Sequence, residues 1–539
     1  MIVHCLLTEP LLPVETGGVA GWRTLPGVLA DLAADRVDDV PDLGAHQQQT
    51  FYQFLVQLAA LALARQAGDG EADADAPPPD DEDGWRFRLL ALAPAAAWTL
   101  INDQLGEPAF LQPPVPEVSL EGFTPLAVTA DGIETLVTSR AVDVKPARAA
   151  ASRPHHWAYA LVSLQTSMGY LGRGNFGVCR MNGGFSSRPM LELAPASLRW
   201  GARFRRAVRV LLRERERLFR DPDLGHLYRP NGRTLLWLEP WDGREGPPPR
   251  DLEPHFIEIC RRVRLVRHGD AVVALGRPTD GARLNAKDRA GHLGDPWMPV
   301  DRVAGKAVTF QAGAFGYRRL TKLLTDGQGV VLPPAALPQD GDGDRVVLHA
   351  TVLVRGQGGT EGLETRTLPL STRTARRLWR NQTTPDEALR ALCAAMLGDA
   401  RHAADALRAG LAMAVQHRTL PPGGRPDLDE PAAKPGVDAL ERAIDEVFFD
   451  HLWSRLEAAD DARVAADARW RRALRAAAAV VFRRELERLP TDAARIGPSR
   501  AAAQILFNAV LNHHLPMPET APAAGEETTD DDTGPDAVP

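Results

Sequence analysis

Glycines, arginines and asparagines concentrate in residues 165–189 (QTSMGYLGRGNFGVCRMNGGFSSRP), which contain six glycines, three arginines and two asparagines but almost no aliphatic side chain. Glycine has no Cβ and tolerates positive φ, so such a backbone can approach a ligand closely. Guanidinium groups suit phosphate, and phosphate contacts position a protein on nucleic acid. The segment therefore predicts a loop that touches nucleic acid.

The same segment allows other interpretations. Gly172–Gly177 matches the dinucleotide-binding pattern G-x-G-x-x-G, which requires a strand before it and a helix directly after it. Residues 157–170 instead carry apolar side chains at helical spacing, and Gly183-Gly184 follow the pattern. The context therefore disfavours a dinucleotide site. An ordinary glycine-rich surface loop remains an open alternative.

The distribution of charge is uneven along the 539 residues, a length that suffices for two or three domains. The net charge of −7 excludes a uniformly basic nucleic-acid binder. Residues 137–188, however, hold seven basic residues and one acidic residue. A local basic patch of this kind is what phosphate binding needs.

Several classes of protein are disfavoured by what the sequence lacks. The four cysteines are isolated, without a C-x-x-C pair, so neither a zinc ribbon nor a disulfide framework is expected. The first residues do not form a signal peptide and no apolar run approaches a membrane span, which predicts a cytoplasmic protein. The pairs His155-His156 and His513-His514 are neighbours in sequence, so we expect each pair to point apart rather than to share a metal. No known catalytic motif is present, and we expect no enzyme activity and no cofactor.

The fold class predicted from the pattern is α+β, with a large mixed α/β domain over residues 1–370. Within it, residues 66–84 are acidic and nearly devoid of large apolar groups, which predicts a disordered loop. The apolar periodicity predicts helices over residues 48–65, 157–170 and 203–219, and strands over residues 234–238, 271–275, 307–310 and 345–354.

The character of the chain changes to helical after residue 370. Four helical patterns predict a four-helix bundle over residues 371–515. The last residues, 516–539, are acidic and of low complexity, which predicts a disordered tail. The four helices are expected over residues 384–416, 437–456, 460–489 and 498–512.

The order of several segments resembles the large subunit of the type I-E CRISPR interference complex, Cascade. The resemblance covers roughly residues 1–515. It rests on LLTEPLLPVETGG and LPGVLADL near the start, EPAFLQ (107–112), LVTSR (136–140), the glycines of 172–184, GDPWMPV (294–300) and RGQGGTEG (355–362), all in family order.

The resemblance implies a non-catalytic subunit in an antiviral ribonucleoprotein complex. It implies contacts with the 5′ end of the guide RNA and with the backbone and small subunits. Such a subunit inspects double-stranded DNA for a protospacer-adjacent motif (PAM), mainly from the minor groove, helps to open the duplex and recruits a helicase–nuclease. Guide RNA pairing supplies the remaining specificity. The runner-up is a stand-alone enzyme that holds a nucleotide on the glycine loop.

The resemblance also implies site residues. Gly172, Gly174 and Asn175 correspond to the family's glycine loop, where a side-chain-poor backbone can enter a minor groove about 6 Å wide. Lys287 falls near the family's groove-contacting lysine, although Asp288 aligns equally well. A DNA-proximal loop is implied at Val144, Lys145 and Arg148.

A wedge that separates the first base pairs is implied at Gln357, Gly358, Gly359 and Thr360. Glycine cannot replace the stacking that such a wedge disrupts, so either Gln357 or Thr360 would perform the task. A simple hairpin is the open alternative for this segment. Because the chain lacks the cysteine cluster of some family members, we expect no zinc.

Overall fold

The structure is a computed structural model that describes residues 2–68, 71–134, 152–183, 187–244, 246–269, 271–325, 329–356, 359–379, 387–417, 419–421, 423–489 and 496–517. The chain divides into two compact units, Met1–Arg390 and Ala391–Pro539. Helices and short sheets are mixed in the first unit, and the second is helical where it is described. The predicted α+β class is therefore confirmed.

A long buried helix, α2, is central to the first unit. Its glutamines recur at a spacing of four residues, and Gln53 and Gln57 donate to Pro189 O (3.1 Å) and His255 O (3.0 Å). Buried amides require such partners, so α2 fixes two distant segments of the chain. The described helices of this unit are α1 (Leu25–Ala33), α2 (Ala45–Ala67), α3 (Glu82–Leu92), α4 (Pro154–Ser167), α5 (Trp200–Arg220), α6 (Tyr317–Thr325) and α7 (Thr372–Trp379).

The strands of the first unit are mostly short. They are β1 (Ile2–Cys5), β2 (Leu12–Thr16), β3 (Val19–Arg23), β4 (Val37–Asp39), β5 (Thr99–Asn102), β6 (Thr124–Ala127), β7 (Met190–Pro195), β8 (Tyr228–Leu235), β9 (Leu252–Ile257), β10 (Arg262–His268), β11 (Ala271–Arg277), β12 (Val300–Asp301), β13 (Lys306–Ala307), β14 (Val330–Val331), β15 (Arg345–Gly356) and β16 (Gly359–Ser371).

These strands form several small sheets rather than one large sheet. The strand orders are β1-β5, β3-β2-β4, β10-β11-β6, β8-β9, β13-β12-β14 and β16-β15-β7, and only β8 and β9 pair in parallel among the described strands. The longest ladder joins β15 to β16, where Leu348 lies opposite Leu368, and β7 pairs on the other side of β15. This hairpin carries the segment in which the resemblance implies a wedge.

The predicted elements are confirmed in most places. Strand β15 covers the predicted residues 345–354, and α4 and α5 cover most of the helices predicted there. The strand predicted over 307–310 is wrong beyond Ala307, because Val308 N bonds Pro299 O (2.9 Å) outside any ladder. The predicted strand at 234–238 ends at Leu235, where a turn begins with Leu238 N bonded to Leu235 O (3.2 Å).

Part of the acidic segment 66–84 contacts helix α5. The Asp75 carboxylate pairs with Arg213 Nη2 (2.7 Å) and lies 3.6 Å from Arg209 Nε. Residues 82–84 form the first turn of α3, because the Asp81 side chain accepts a hydrogen bond from Gly84 N (2.6 Å) and so caps the helix. The arginines of α5 thereby bind acids of the protein itself.

The second unit contains four described helices, the number predicted for the bundle. The Phe482 and Phe507 rings stack with centroids 4.2 Å apart. A Cβ at Gly410 would lie 2.6 Å from the Phe482 ring, so glycine allows α8 to pack against this pair. No described helix is long and apolar enough to span a membrane. The helices are α8 (Glu387–Gln416), α9 (Lys434–Glu457), α10 (Arg463–Arg488) and α11 (Ile496–His514).

Candidate nucleic-acid interface

The glycine loop, defined as residues 169–183, directly follows helix α4. Gly172 and Gly174 have φ of +102° and +84°, values that glycine adopts without strain. Asn175 N bonds Gly172 O (3.0 Å) and Leu171 N bonds Asn175 O (3.0 Å), which closes a tight turn. A helix precedes the loop and no helix opens directly after Gly177, so the arrangement required for a dinucleotide fingerprint is not present.

The loop is held by direct contacts between backbones. Thr279 N bonds Gly174 O (3.1 Å), and a Cβ at Gly174 would lie only 3.0 Å from the Pro278 side chain. At Gly177 a Cβ would lie 2.5 Å from the Gly169 carbonyl carbon. These glycines are therefore required where the loop crosses itself and where it packs on the segment after β11.

A cleft of about 900 Å³ separates the glycine loop from residues 281–291. Tyr170, Phe176 and Asn182 lie on the loop side, and Lys287 lies on the other side. The structure thus brings Lys287 and the second half of the glycine loop to one cleft. The turn at 172–175 does not line the cleft itself, but its neighbour Phe176 does.

Lys287 begins a short 3-10 turn, Lys287–Arg289, and its side chain is exposed. It makes no salt bridge with any residue that the structure describes. Asn285, also exposed, lines the same side of the cleft and offers both a donor and an acceptor. Sequence analysis missed Asn285, whose only distinguishing feature in the sequence is its position two residues before the lysine.

Two of the arginines that flank the glycines do not face a ligand. Arg180 and Arg188 are 1% and 2% exposed. Arg188 Nε lies 2.6 Å from Asp295 Oδ2, and Arg180 Nη1 lies 3.8 Å from the same oxygen. The expectation that these guanidiniums hold phosphate is wrong, because an internal carboxylate already pairs with both. Arg173, in contrast, is exposed on the loop.

The paired carboxylate is itself strongly affected by its surroundings. Burial disfavours the charged form of Asp295, but Arg188 and Arg180 outweigh burial, so its pKa lies below the ordinary value of 3.8. Asp295 Oδ1 also accepts a hydrogen bond from Trp297 N (2.9 Å). The carboxylate therefore stays ionised inside the protein and anchors the segment GDPWMPV to the end of the glycine loop.

A second pair of arginines carries buried positive charge beside the loop. Arg261 donates to Phe176 O, within the loop, and Arg355 is 6% exposed with no hydrogen bond at Nε or Nη1. Burial, reinforced by the neighbouring Arg261, lowers the pKa of Arg355 to about 10. Neither arginine has a salt bridge within the described part of the chain. Sequence analysis missed this pair, because Arg261 is far from the loop in sequence and only the fold brings it there.

Of the four wedge residues, the structure describes the backbone of Gly359 and Thr360, at the start of β16. Arg355 lies opposite Thr360, and Gly356 lies opposite Gly359, so the hairpin alternative describes the backbone on both sides of the turn. Gln357 and Gly358 lie outside the described residues. Strand β15 is bonded to the segment before β7, where Ser187 N donates to Leu353 O (3.0 Å).

The DNA-proximal loop implied by the resemblance is not described. Val144, Lys145 and Arg148 all fall within residues 135–151, outside the described residues. Their placement relative to the cleft therefore stays a prediction.

Solved structures share this fold. Cse1, a CRISPR-associated protein from Acidimicrobium ferrooxidans, matches with a TM-score of 0.61 and 18% identity over 95% of this chain and 99% of its own. CasA from Thermus thermophilus gives 0.59 and 17% over 94% and 99%, and Cse1 from Thermobifida fusca gives 0.59 and 14% over 96% and 98%. No protein-family model and no curated protein matches the sequence. The fold implied by the resemblance is confirmed: along nearly its whole length, this chain is built as the CRISPR-associated Cse1 and CasA proteins are.

Proposed function

We propose that this chain is the non-catalytic large subunit of a type I-E Cascade-like complex and reads a PAM in duplex DNA from the minor groove. The observation that supports the proposal most is that the glycine loop and Lys287, far apart in sequence, line one cleft. A glycine backbone can approach the groove floor, and an exposed ammonium can bond the acceptors that every base pair presents there. Such a reader is permissive between A·T and T·A.

Exposed positive charge on the glycine loop supports a polyanionic ligand. Arg261 and Arg355 are buried, so they add positive charge behind the loop but cannot contact phosphates themselves. Exposed Arg173 adds a cation on the loop itself. Phosphate contacts of this kind supply sequence-independent affinity and fix the register of the duplex.

The remaining roles follow from the same proposal. The segment Gln357–Thr360 would open the first base pairs, with Gln357 or Thr360 as the inserted side chain. The helices of the second unit would dock on the small subunits, and the assembled complex would recruit the helicase–nuclease. The chain would act with a guide RNA and would catalyse no reaction itself.

Replacing Lys287 by alanine should weaken binding to motif-bearing duplexes by about 1–3 kcal/mol, the usual value of a specific base contact. The full chain would be assembled with its neighbouring gene products and guide RNA. Binding would be measured on a pool of DNA duplexes. Each duplex contains the sequence that pairs with the guide RNA, and the base pairs next to that target sequence are randomised. The bound pool should lose its base preference at the positions that Lys287 contacts.

Lys322→Ala is the matched control, because it removes an exposed lysine from α6, outside the cleft lining. It should leave affinity and base preference unchanged. Equal effects of the two variants would contradict the role of Lys287. A nucleotide-induced rise in melting temperature without any preference for duplex DNA would favour the enzyme alternative.

The loop implied at Val144, Lys145 and Arg148 gives a separate prediction about salt. If Lys145 and Arg148 contact phosphates, each alanine variant should reduce the slope of log affinity against log salt concentration by about 1. Affinity would be measured for one duplex across a salt series. Parallel slopes for the variants and the parent would rule out phosphate contacts at these two positions.

A further inference from the structure

Three metal-ligating side chains converge at the first turn of α4, away from the cleft. His155 Nε2 lies 3.2 Å and His156 Nε2 lies 4.0 Å from Asp42 Oδ2. One ligand atom from each of the three residues lies within 4.8 Å of the others. Tetrahedral zinc with bonds of about 2.0–2.1 Å holds its ligand atoms roughly 3.4 Å apart. Small side-chain movements would therefore place all three atoms on one ion.

The convergence corrects the expectation that adjacent histidines point apart. The His155 and His156 rings tilt toward each other, with centroids 4.1 Å apart and planes at 59°. Both residues lie in the first turn of α4, and Asp42 reaches them from the connection between β4 and α2. Tertiary structure supplies the third ligand, which is why spacing along the sequence alone did not reveal the site.

We propose that Asp42, His155 and His156 bind a divalent transition-metal ion, with Zn²⁺ as the best match, and leave at least one coordination position to water. Two imidazole nitrogens disfavour Mg²⁺ and Ca²⁺, which prefer oxygen ligands. A carboxylate with two imidazoles is a ligand set that zinc uses in proteins.

Zinc bound at Nε2 would place the ring proton of each histidine on Nδ1. His155 Nδ1 is buried and has no hydrogen-bond partner in the described part of the chain, so no other donor occupies that nitrogen. His156 Nδ1 accepts a hydrogen bond from Arg153 N (3.1 Å), and zinc on Nε2 would require a proton on Nδ1 instead. Arg153 is exposed, so its N–H can turn to water. One exposed capping bond is worth far less than a zinc–imidazole bond.

A bound ion would cross-link the connection that precedes α2 to the first turn of α4. Asp42 lies just before α2, the central helix, and the two histidines begin α4. An ion held by the folded state and not by the unfolded chain stabilises the fold. We therefore expect zinc to raise the melting temperature of the chain without changing duplex recognition at the cleft.

The test is a Zn²⁺ titration of the full chain after removal of metal with a chelator. Calorimetry should show one equivalent bound, and Co²⁺ as a substitute should give the visible absorption of low-symmetry coordination. Asp42→Asn and His156→Ala should each weaken zinc binding by at least about 100-fold, since loss of an outer-shell partner alone costs about 10–100-fold. Asparagine is chosen because it tolerates the φ of +62° at Asp42.

His268→Ala is the matched control, because it removes an exposed histidine at the end of β10, outside the cluster. It should bind zinc as the parent does. Melting temperatures without metal would show that the variants are folded. Zinc binding that persists in both ligand variants, or the lack of stoichiometric binding by the parent, would overturn the proposal. Duplex binding measured in chelator tests the proposed function independently.

Discussion

Replacing Asp295 by asparagine should lower the free energy of unfolding by about 3–5 kcal/mol, the cost of leaving buried charge without its partner. The substitution keeps the shape of the side chain and the acceptor for Trp297 N. It removes the negative charge that faces Arg188 at 2.6 Å and Arg180 at 3.8 Å. Urea or thermal denaturation of the full chain would measure the loss.

Asp301→Asn is the matched control for this prediction. The Asp301 side chain accepts a hydrogen bond from Ala304 N (2.9 Å), as Asp295 does from Trp297 N, but it pairs with no arginine among the described residues. It should change stability by less than about 0.5 kcal/mol. A similar loss in both variants would mean that the turn, and not the ion pairs, carries the effect.

The dependence on pH provides a second readout. Because the folded state holds the pKa of Asp295 below 3.8, its ionised form contributes stability that is fully present above pH 3.8. This contribution is lost as the pH falls through the folded-state pKa. The difference in stability between the parent and the asparagine variant should therefore shrink in acid. If the two proteins differ in unfolding free energy by the same amount at neutral pH and below pH 3.8, the ion-pair explanation is contradicted.

Local patterns in the sequence sufficed to predict much of the fold. Helical periodicity located α2, α4 and α5, and a short strand-like apolar run located β15. These elements pack apolar side chains into the core along their whole length, so their pattern can be recognised in consecutive residues. The strand predicted beyond Ala307 failed because residues 308–310 have no partner strand among the described strands, and Val308 N bonds Pro299 O outside any ladder.

The site was predictable in part. The glycine loop was identified from composition, since positive φ and close backbone contacts both require glycine. The contacts of each arginine side chain were not predictable, because a guanidinium near glycines in sequence can face either a ligand or a buried carboxylate. Asp295 lies more than a hundred residues after Arg180 and Arg188, and only the tertiary structure shows that it pairs with both. The same holds for Arg261 at the base of the loop.

Replacing Gly174 by aspartate should reduce binding to motif-bearing duplexes by several kcal/mol, at least about a hundredfold, because juxtaposed like charges alone cost that much. The φ of +84° strains any side chain there, and a Cβ would lie 3.0 Å from Pro278. The loop or Pro278 must therefore shift by a few tenths of an ångström, next to the bond between Thr279 N and Gly174 O. Gel shifts with the assembled complex would measure the effect.

Gly17→Asp is the control variant, because it adds the same charge and a similar backbone strain at a glycine outside the glycine loop. Gly17 also has a positive φ, +59°, but nothing lies within 4 Å of a Cβ there, and it belongs to the exposed β2–β3 turn. Gly174→Ala adds the crowding at Pro278 without charge and should give an intermediate loss. If Gly17→Asp weakens duplex binding as strongly as Gly174→Asp, the glycine loop is not the part of the chain that approaches DNA. The opposite result is that only the Gly174 variants lose duplex binding and that their melting temperatures stay near that of the parent. The backbone at this turn then lies at the interface, since a folding defect would lower the melting temperature as well as the binding.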